Sequence, residues 1–325
     1  MRAAYYEKNG TAREVLQLGE VETPRPRAGE VRVKLAVSGV NPSDVKSRAG
    51  TARKIAFPRV IPHSDGAGTI DLVGDGVAPS RIGERVWVWN GQWKRPFGTC
   101  AEYIVLPTAQ AVALPADASF EAGACLGIPA MTAYHAVAIS GAAQGTTVLI
   151  AGGAGAVGHY AIQFAKALGA TVITTVSSDE KATVARAAGA DHTIDYKREN
   201  VGDRVMEITG KGGVNAVIEL DLTTNAKLIP ATLRPKGTVV IYGTQAEATL
   251  PASWFLVNGI TLRFMLVYEL TQEEREAAVG AITRMLSDRR LINNVATMVP
   301  LSDIVAAHEM VEAGKAIGNI LVSLA

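Results

Sequence analysis

Past residue 147 the chain alternates short, mostly apolar runs with longer stretches of helical spacing. The runs cover residues 148–151, 172–176, 192–195, 216–220, 239–242 and 262–267. Most lack the polar alternation of a half-exposed strand and suit strands buried on both faces. Strands separated by helices in this way predict a parallel sheet covered on both sides, the doubly wound Rossmann arrangement. The first third reads differently. Strand-like runs at 2–6, 31–40, 68–73, 85–89 and 102–105 follow one another, with turns at Pro24-Arg25-Pro26, Gly74-Asp75-Gly76 and Gly83. Helices are predicted at 119–124, 129–138, 271–287 and near 301–314, and a last strand at 320–324. That strand is expected to return to the first domain, because the nucleotide sheet already has its complement. The fold class is therefore α/β. A β-rich domain over 1–122, completed by 270–325, surrounds a Rossmann domain over 123–269.

The run at 148–151 opens into Gly152-Gly153-Ala154-Gly155-Ala156-Val157-Gly158 and then a helix. Gly153, Gly155 and Gly158 form G-x-G-x-x-G between strand and helix, the context that gives this spacing meaning. The glycines allow a tight turn, a close approach of backbone to pyrophosphate, and close packing of helix on strand. Ala156 and Val157 lie on the same bend and join them as cofactor contacts, since a helix N-terminus offers N–H donors to an anion. Gly169 closes this helix. The following run ends at Ser177 and Ser178, then Asp179, Glu180 and Lys181. An NAD site places an acid near this strand tip for the ribose 2′-hydroxyl. Small hydroxyls with Lys181 admit a 2′-phosphate instead, so the cofactor is read as NADPH. Ser177 or Ser178 can equally cap the next helix, with Asp179 and Glu180 in its first turn. The two readings are compatible.

Composition narrows the class. With 32 basic and 31 acidic residues the net charge is +1, which offers no field for nucleic acid or an anionic membrane. Residues 122–165 carry no Asp, Glu, Lys or Arg, yet glycines, Pro129 and polar residues interrupt them too often for a membrane span. Cys100 and Cys125 cannot build a disulfide framework and suit a reducing compartment. The opening residues lack the apolar core of a secretory signal. A cytoplasmic protein without membrane or nucleic-acid partner is the expectation.

Several further pieces stand in a telling order: Gly39-Val40-Asn41-Pro42-Ser43-Asp44, Pro62-His63-Ser64-Asp65-Gly66, Gly83-Glu84-Arg85-Val86, Gly98-Thr99-Cys100-Ala101-Glu102-Tyr103 and Leu126-Gly127-Ile128-Pro129-Ala130-Met131-Thr132. With the glycine loop they resemble the zinc-independent quinone oxidoreductases (zeta-crystallin type) of the medium-chain dehydrogenase/reductase superfamily. The resemblance implies a GroES-like catalytic domain built from both termini, with the nucleotide domain inserted. It implies no zinc. Asn41 and Ser64 stand where zinc-dependent relatives have ligands, and the cysteines of the structural zinc lobe are missing. A catalytic zinc needs about three converging protein ligands, and His63 by itself is better read as a hydrogen-bonded loop residue.

By the same resemblance Asn41 and Thr132 lie beside nicotinamide and substrate, and Asp44 orients the Asn41 loop. Asn41 has a second reading as a turn side chain before Pro42. Lys46 stands where quinone reductases commonly carry a tyrosine, so that tyrosine's role does not transfer. Tyr196 matches a 2′-phosphate contact, while Tyr242, Gly243, Val267 and Tyr268 match the nicotinamide half. Asn319, with Lys315, matches the phosphate end. Glu219 replaces an aspartate, and its role with Asn225 stays open. Trp87, Trp89 and Trp93 are either core or the lining of an aromatic acceptor pocket. The edge strand at 262–267 implies a homodimer, since a bare apolar edge is an aggregation hazard.

Without a Lewis acid, hydride delivery to an electron-poor acceptor is favoured over alcohol oxidation. The leading reading is NADPH-dependent reduction of a quinone. An α,β-unsaturated aldehyde or ketone as acceptor is the alternative within enzymes. An NADPH-binding structural or RNA-associated protein with little catalysis is the alternative outside them.

Overall fold

Residues 1–324 are described by a computed structural model, in which the strands run in chain order as follows. They are β1 Arg2–Tyr5, β2 Gln17–Glu20, β3 Glu30–Val40, β4 Asp65–Val73, β5 Arg85–Val88, β6 Tyr103–Pro107, β7 Ala111–Ala113, β8 Thr147–Ile150, β9 Thr171–Val176, β10 His192–Asp195, β11 Val214–Glu219, β12 Leu233–Ile241, β13 Thr261–Phe264, β14 Val295–Pro300 and β15 Asn319–Ser323. Met1–Ile128 and the chain from Ile282 onward form one unit, and Pro129–Ala281 the other. The boundaries read from the sequence, 122/123 and 269/270, lie a few residues earlier on the chain.

The second unit is a parallel sheet in the order β10-β9-β8-β11-β12-β13. Read from β8 as first, this is 3-2-1-4-5-6, the doubly wound order whose reversal beside the first strand opens a crevice at the carboxyl ends. The apolar runs form its middle: Val148, Ile150, Ile173, Ala216, Ile218, Val239 and Val240 are buried. Helix Ala156–Ala167 covers it with Tyr160, Ala161, Ile162, Phe164 and Ala165. One expectation is corrected here. The edge strand ends at Phe264 and does not reach 267; Val267–Glu269 is instead a single tight helical turn, so Val267 and Tyr268 are not on a strand. The last ladder bond is Met265 N–H to the Ile241 carbonyl, 3.0 Å. Beyond Ile241 the neighbouring strand turns away through Tyr242 and Gly243, whose backbone bonds to Glu219 and Leu222, and no partner is left for a longer edge.

In the first unit the eleven-residue β3 is the hub. It pairs antiparallel with β4, β6 and β15 in a sheet ordered β14-β15-β3-β4-β5-β7. Ile320 faces Val40 across this ladder, so the final strand does complete the unit that the N-terminus began. Its core gathers Val31, Val33, Ile61, Ile70, Val86, Ile104, Leu106, Ile320 and Val322. Trp87 is fully buried on β5, which makes it core and removes it from any acceptor pocket. β2, β7 and β14 lie outside the runs read from the sequence. β14 alternates only between exposed and half-buried positions, so it carries little apolar signal.

Candidate active site

The glycine bend is built by sterics. A Cβ on Gly153 would sit 2.2 Å from Thr174 Oγ1, and one on Gly158 would sit 2.3 Å from the Gly152 carbonyl. Neither position accepts a side chain. Gly155 is less confined, its nearest neighbour being 3.2 Å away, but it caps helix Ala156–Ala167 without offering a side chain. The N–H groups of Ala156, Val157 and Gly158 therefore open the helix without a side-chain cap, as an anion site requires. Gly152, not singled out in the sequence, is the residue with left-handed backbone, φ 69°, and its N–H donates to Thr175 Oγ1 at 3.1 Å. This cradle fits a pyrophosphate.

At the next strand tip Ser178 Oγ accepts from Lys181 N–H at 3.3 Å, so Ser178 is the N-cap of helix Asp179–Ala187. The cap reading thus holds for Ser178, and it leaves Ser177 and the Lys181 amine on the same turn. Tyr196 follows β10 and is half exposed. Along the carboxyl ends of β8 to β11 lies a cavity of about 500 Å³, bordered by Gly152, Thr175, Tyr196, Glu219, Leu220 and Asp221. Glu219 gains a definite role there. Its Oε1 accepts from Asp221 N–H at 2.6 Å and from Asn225 Nδ2 at 2.8 Å, which pins the loop that walls this cavity. Burial pushes the Glu219 carboxyl up, and pushes the Tyr242 hydroxyl beside it up as well. Gly243 is obligatory, since a Cβ would meet the Leu220 carbonyl at 1.9 Å. Thr132, at the start of helix Met131–Ser140, is buried, and its Oγ1 has no partner among the described residues. A buried, unanswered hydroxyl is a polar group waiting for a ligand.

In the other unit, Asn41 caps helix Pro42–Ala49. Its N–H donates to Asp44 Oδ2 at 2.8 Å, and its Nδ2 to Asp65 Oδ2 at 2.7 Å. Asp65 Oδ1 accepts from Ile128 N–H at 2.8 Å. Asn41 therefore spends one amide hydrogen on Asp65 and keeps one. Burial holds the Asp44 carboxyl up to about 7, and raises Asp65 well above its ordinary range. Next to Asp65, Thr99 Oγ1 donates to the Asp65 carbonyl, Ser38 Oγ bonds Thr99 and His63 Nδ1 at 2.8 Å each, and His63 Nε2 meets His308 Nε2 at 3.0 Å. His63 has φ 76°, and both histidines are fully buried. Burial lowers both, with His308 down to about 3. Asp65 and His308 escaped the sequence reading, since nothing local marks a partner 24 or 245 residues away. Asn319 also lies in this unit. It opens β15 with its Nδ2 and N–H both on the Asn294 carbonyl, at 2.9 and 2.8 Å.

Residues 27–116 match the alcohol dehydrogenase GroES-like domain, and residues 156–284 match the zinc-binding dehydrogenase family. The quinone oxidoreductase of Rattus norvegicus is 30% identical over 299 residues, which cover 91% of this chain and 89% of that protein. The chain belongs to the quinone oxidoreductase family of the medium-chain dehydrogenase/reductase superfamily. A 2-haloacrylate reductase of Burkholderia sp is 29% identical, with 99% of this chain and 98% of that protein covered. Among solved structures, the Escherichia coli quinone oxidoreductase complexed with NADPH matches with a TM-score of 0.87 and 26% identity, covering 99% of this chain and 100% of that one. The family read from the order of the motifs is the family found, with a GroES-like and a Rossmann part. Like them, the chain carries the glycine bend described above. No helix among the described residues is long and apolar enough to cross a membrane.

Proposed function

We propose that this protein is a cytoplasmic, zinc-independent NADPH:quinone oxidoreductase. The observation that carries the reading is the uncapped helix start behind Gly152–Gly158 at the carboxyl edge of a 3-2-1-4-5-6 sheet. Ser177, Ser178, Lys181 and Tyr196 replace an acid at the ribose end and suit a 2′-phosphate. NADPH supplies the hydride when bound. The chain's own task is to hold and orient. The first-turn N–H groups of Ala156, Val157 and Gly158 take the pyrophosphate. Gly243 lets backbone approach where a side chain could not, with Tyr242, Val267 and Tyr268 completing the nicotinamide half. Thr132 Oγ1 is free to bond the carboxamide end, and Asn319 is assigned to the phosphate end. Asn41 keeps one N–H for a developing oxyanion, while Asp44 and Asp65 fix its orientation from either side. Zinc-independence is supported by donor chemistry. Both His63 nitrogens are engaged, on Ser38 and His308, and no three His, Cys, Asp or Glu side chains converge among the described residues. The free thiols Cys100 and Cys125 accord with a reducing compartment.

The test is NADPH oxidation with 1,4-naphthoquinone, 9,10-phenanthrenequinone and 2-hexenal, repeated with NADH and with a chelator. Quinone turnover, at least about tenfold better with NADPH by kcat/KM and indifferent to chelation, is the expected result. Activity lost on chelation overturns the metal-free reading. Tight NADPH binding without turnover of any acceptor leaves only a binding protein. The relative named a 2-haloacrylate reductase favours keeping conjugated alkenes as a second acceptor class.

The same proposal includes a homodimer through β13. This strand ends the sheet, and Phe264, Leu266, Leu256 and Val257 around it are 62%, 51%, 82% and 83% exposed. An apolar edge of this kind is a pairing template. Light scattering is expected to give twice the 34.1 kDa chain mass, and Phe264→Lys to give the monomer. A monomeric wild type removes the dimer.

A further inference from the structure

Arg53 stands out among the half-buried arginines by having no anion. Arg32 meets Asp71 at 2.8 Å, Arg81 meets Glu84 at 2.6 Å, and Arg48 meets Glu312. Arg85 spreads its fork over the carbonyls of Pro115, Ala116 and Ala118. Arg53 instead donates once, from Nη2 to the neutral Gln92 Oε1 at 2.7 Å. Its Nε and Nη1 have no partner among the described residues, and no carboxylate lies within ion-pair distance. Its guanidinium rests on the Trp93 ring, 4.8 Å from the centroid. Stacking on an aromatic face fixes the plane of the fork and leaves one edge for a planar, bidentate partner.

A short chain of contacts ties this fork to Asn41. Asn41 bonds Asp65, the preceding Ser64 carbonyl accepts from Gly91 N–H at 2.9 Å, and the adjoining Gln92 holds Arg53. Gln92 is itself buried and anchored to the Arg95 carbonyl, so the support is rigid. From the other direction, Thr51 and Ala52 N–H bond the Lys46 carbonyl, which folds the Arg53 loop back on the end of the Asn41-capped helix. The positive charge of Arg53 is felt at the Asp44 carboxyl, where it opposes the dominant effect of burial. Lys46, Lys54 and Lys94 are exposed nearby in sequence, and Lys94 Nζ lies 5.4 Å from the same Trp93 ring.

We propose that Arg53 receives a carboxylate carried by the acceptor, so that this reductase favours anionic quinones and enones over neutral ones. The inference rests on the reading of the protein as an NADPH-dependent reductase and names its substrate class. Charge-assisted, bidentate arginine–carboxylate bonds are the strong class of hydrogen bond, and a half-buried fork without a counter-ion is primed to make one. Trp93 and Gln92 act as positioning residues.

The decisive experiment compares 1,4-naphthoquinone with 1,4-naphthoquinone-6-carboxylate at saturating NADPH, in wild type, Arg53→Gln and Arg53→Lys. The wild type is expected to prefer the carboxylate by kcat/KM. Arg53→Gln is expected to lower that preference about tenfold or more, chiefly through KM, with the neutral quinone within about twofold of wild type. Arg53→Lys is expected to recover part of it, and 0.5 M salt to weaken it. An unchanged preference in Arg53→Gln overturns the proposal, and so does an equal loss with both acceptors, which marks a structural role. If the wild type reduces neither acceptor, the reductase reading fails on its own terms. Calorimetric titration with 2-naphthoate then decides the anion site: binding lost in Arg53→Gln supports it, and equal or absent binding in both proteins rejects it.

Discussion

Gly158→Ala is expected to raise the dissociation constant for NADPH by about a hundredfold, the cost of roughly an ångström of misplacement at a site that works by orientation. The added methyl would lie 2.3 Å from the Gly152 carbonyl and 3.0 Å from the Gly153 Cα, both backbone atoms that no rotamer change can move aside. Helix Ala156–Ala167 must therefore slide away from the bend, and its first-turn N–H groups go with it. Gly155→Ala serves as the contrast. Its Cβ meets only the Gly152 carbonyl at 3.2 Å, and its φ of −77° is open to any residue, so a change of about threefold or less is expected. Fluorescence titration of NADPH against the two variants and the wild type measures both. Equal affinity in Gly158→Ala and wild type would show that the pyrophosphate does not use this bend.

The second large effect is a hidden opposition in the pH dependence of stability. His63 and His308 are neutral in the folded chain, with values lowered by burial, whereas each takes up a proton near pH 6.5 when unfolded. Their contribution is present above pH 6.5 and is lost as pH falls toward the folded values, for His308 about 3. Asp44 and Asp65 work the other way. Their folded values are raised, so their contribution is full below about pH 3.8 and is lost as pH rises through the folded values, for Asp44 about 7. Between pH 5 and 6.5 the two sets oppose each other, and a shallow wild-type profile is expected. Removing the histidines together, as His63→Asn with His308→Gln, leaves the carboxyls unopposed. Relative to wild type, the variant should gain up to about 4 kcal/mol between pH 7 and pH 5, at about 1.4 kcal/mol per pH unit for each histidine. Urea unfolding at a series of pH values gives the difference. Parallel profiles for variant and wild type would mean that the pair is not held neutral.

The loss of Lys46's expected tyrosine counterpart and the loneliness of Arg53 belong together. A site that gives up a stacking hydroxyl and presents a cation has changed what it recognises while keeping the hydride geometry. Fold and acceptor choice are separable in this family for that reason: the first rests on the sheet and glycine bend, the second on a few loop side chains.

What the sequence by itself determined is whatever repeats or breaks locally. Unbroken apolar runs at β8, β9 and β11 report burial on both faces, and β9 and β10 fall where the pattern puts them. The spacing of Gly153, Gly155 and Gly158 names the cradle because sterics at a bend act between near neighbours. The end of β13 escaped, since a strand stops where its partner stops, and Ile241 is a tertiary fact. So did Gly152, because glycine spacing does not reveal which residue takes positive φ. Asn41 could be read as a cap or as a site residue, and only its bond to Asp65 shows how one amide serves both. The His63–His308 pair, the return of β15 to β3 and the isolation of Arg53 were decided by the folded chain alone. Each depends on which distant side chains arrive, or fail to arrive, within bonding distance, and one-dimensional order does not encode that distance.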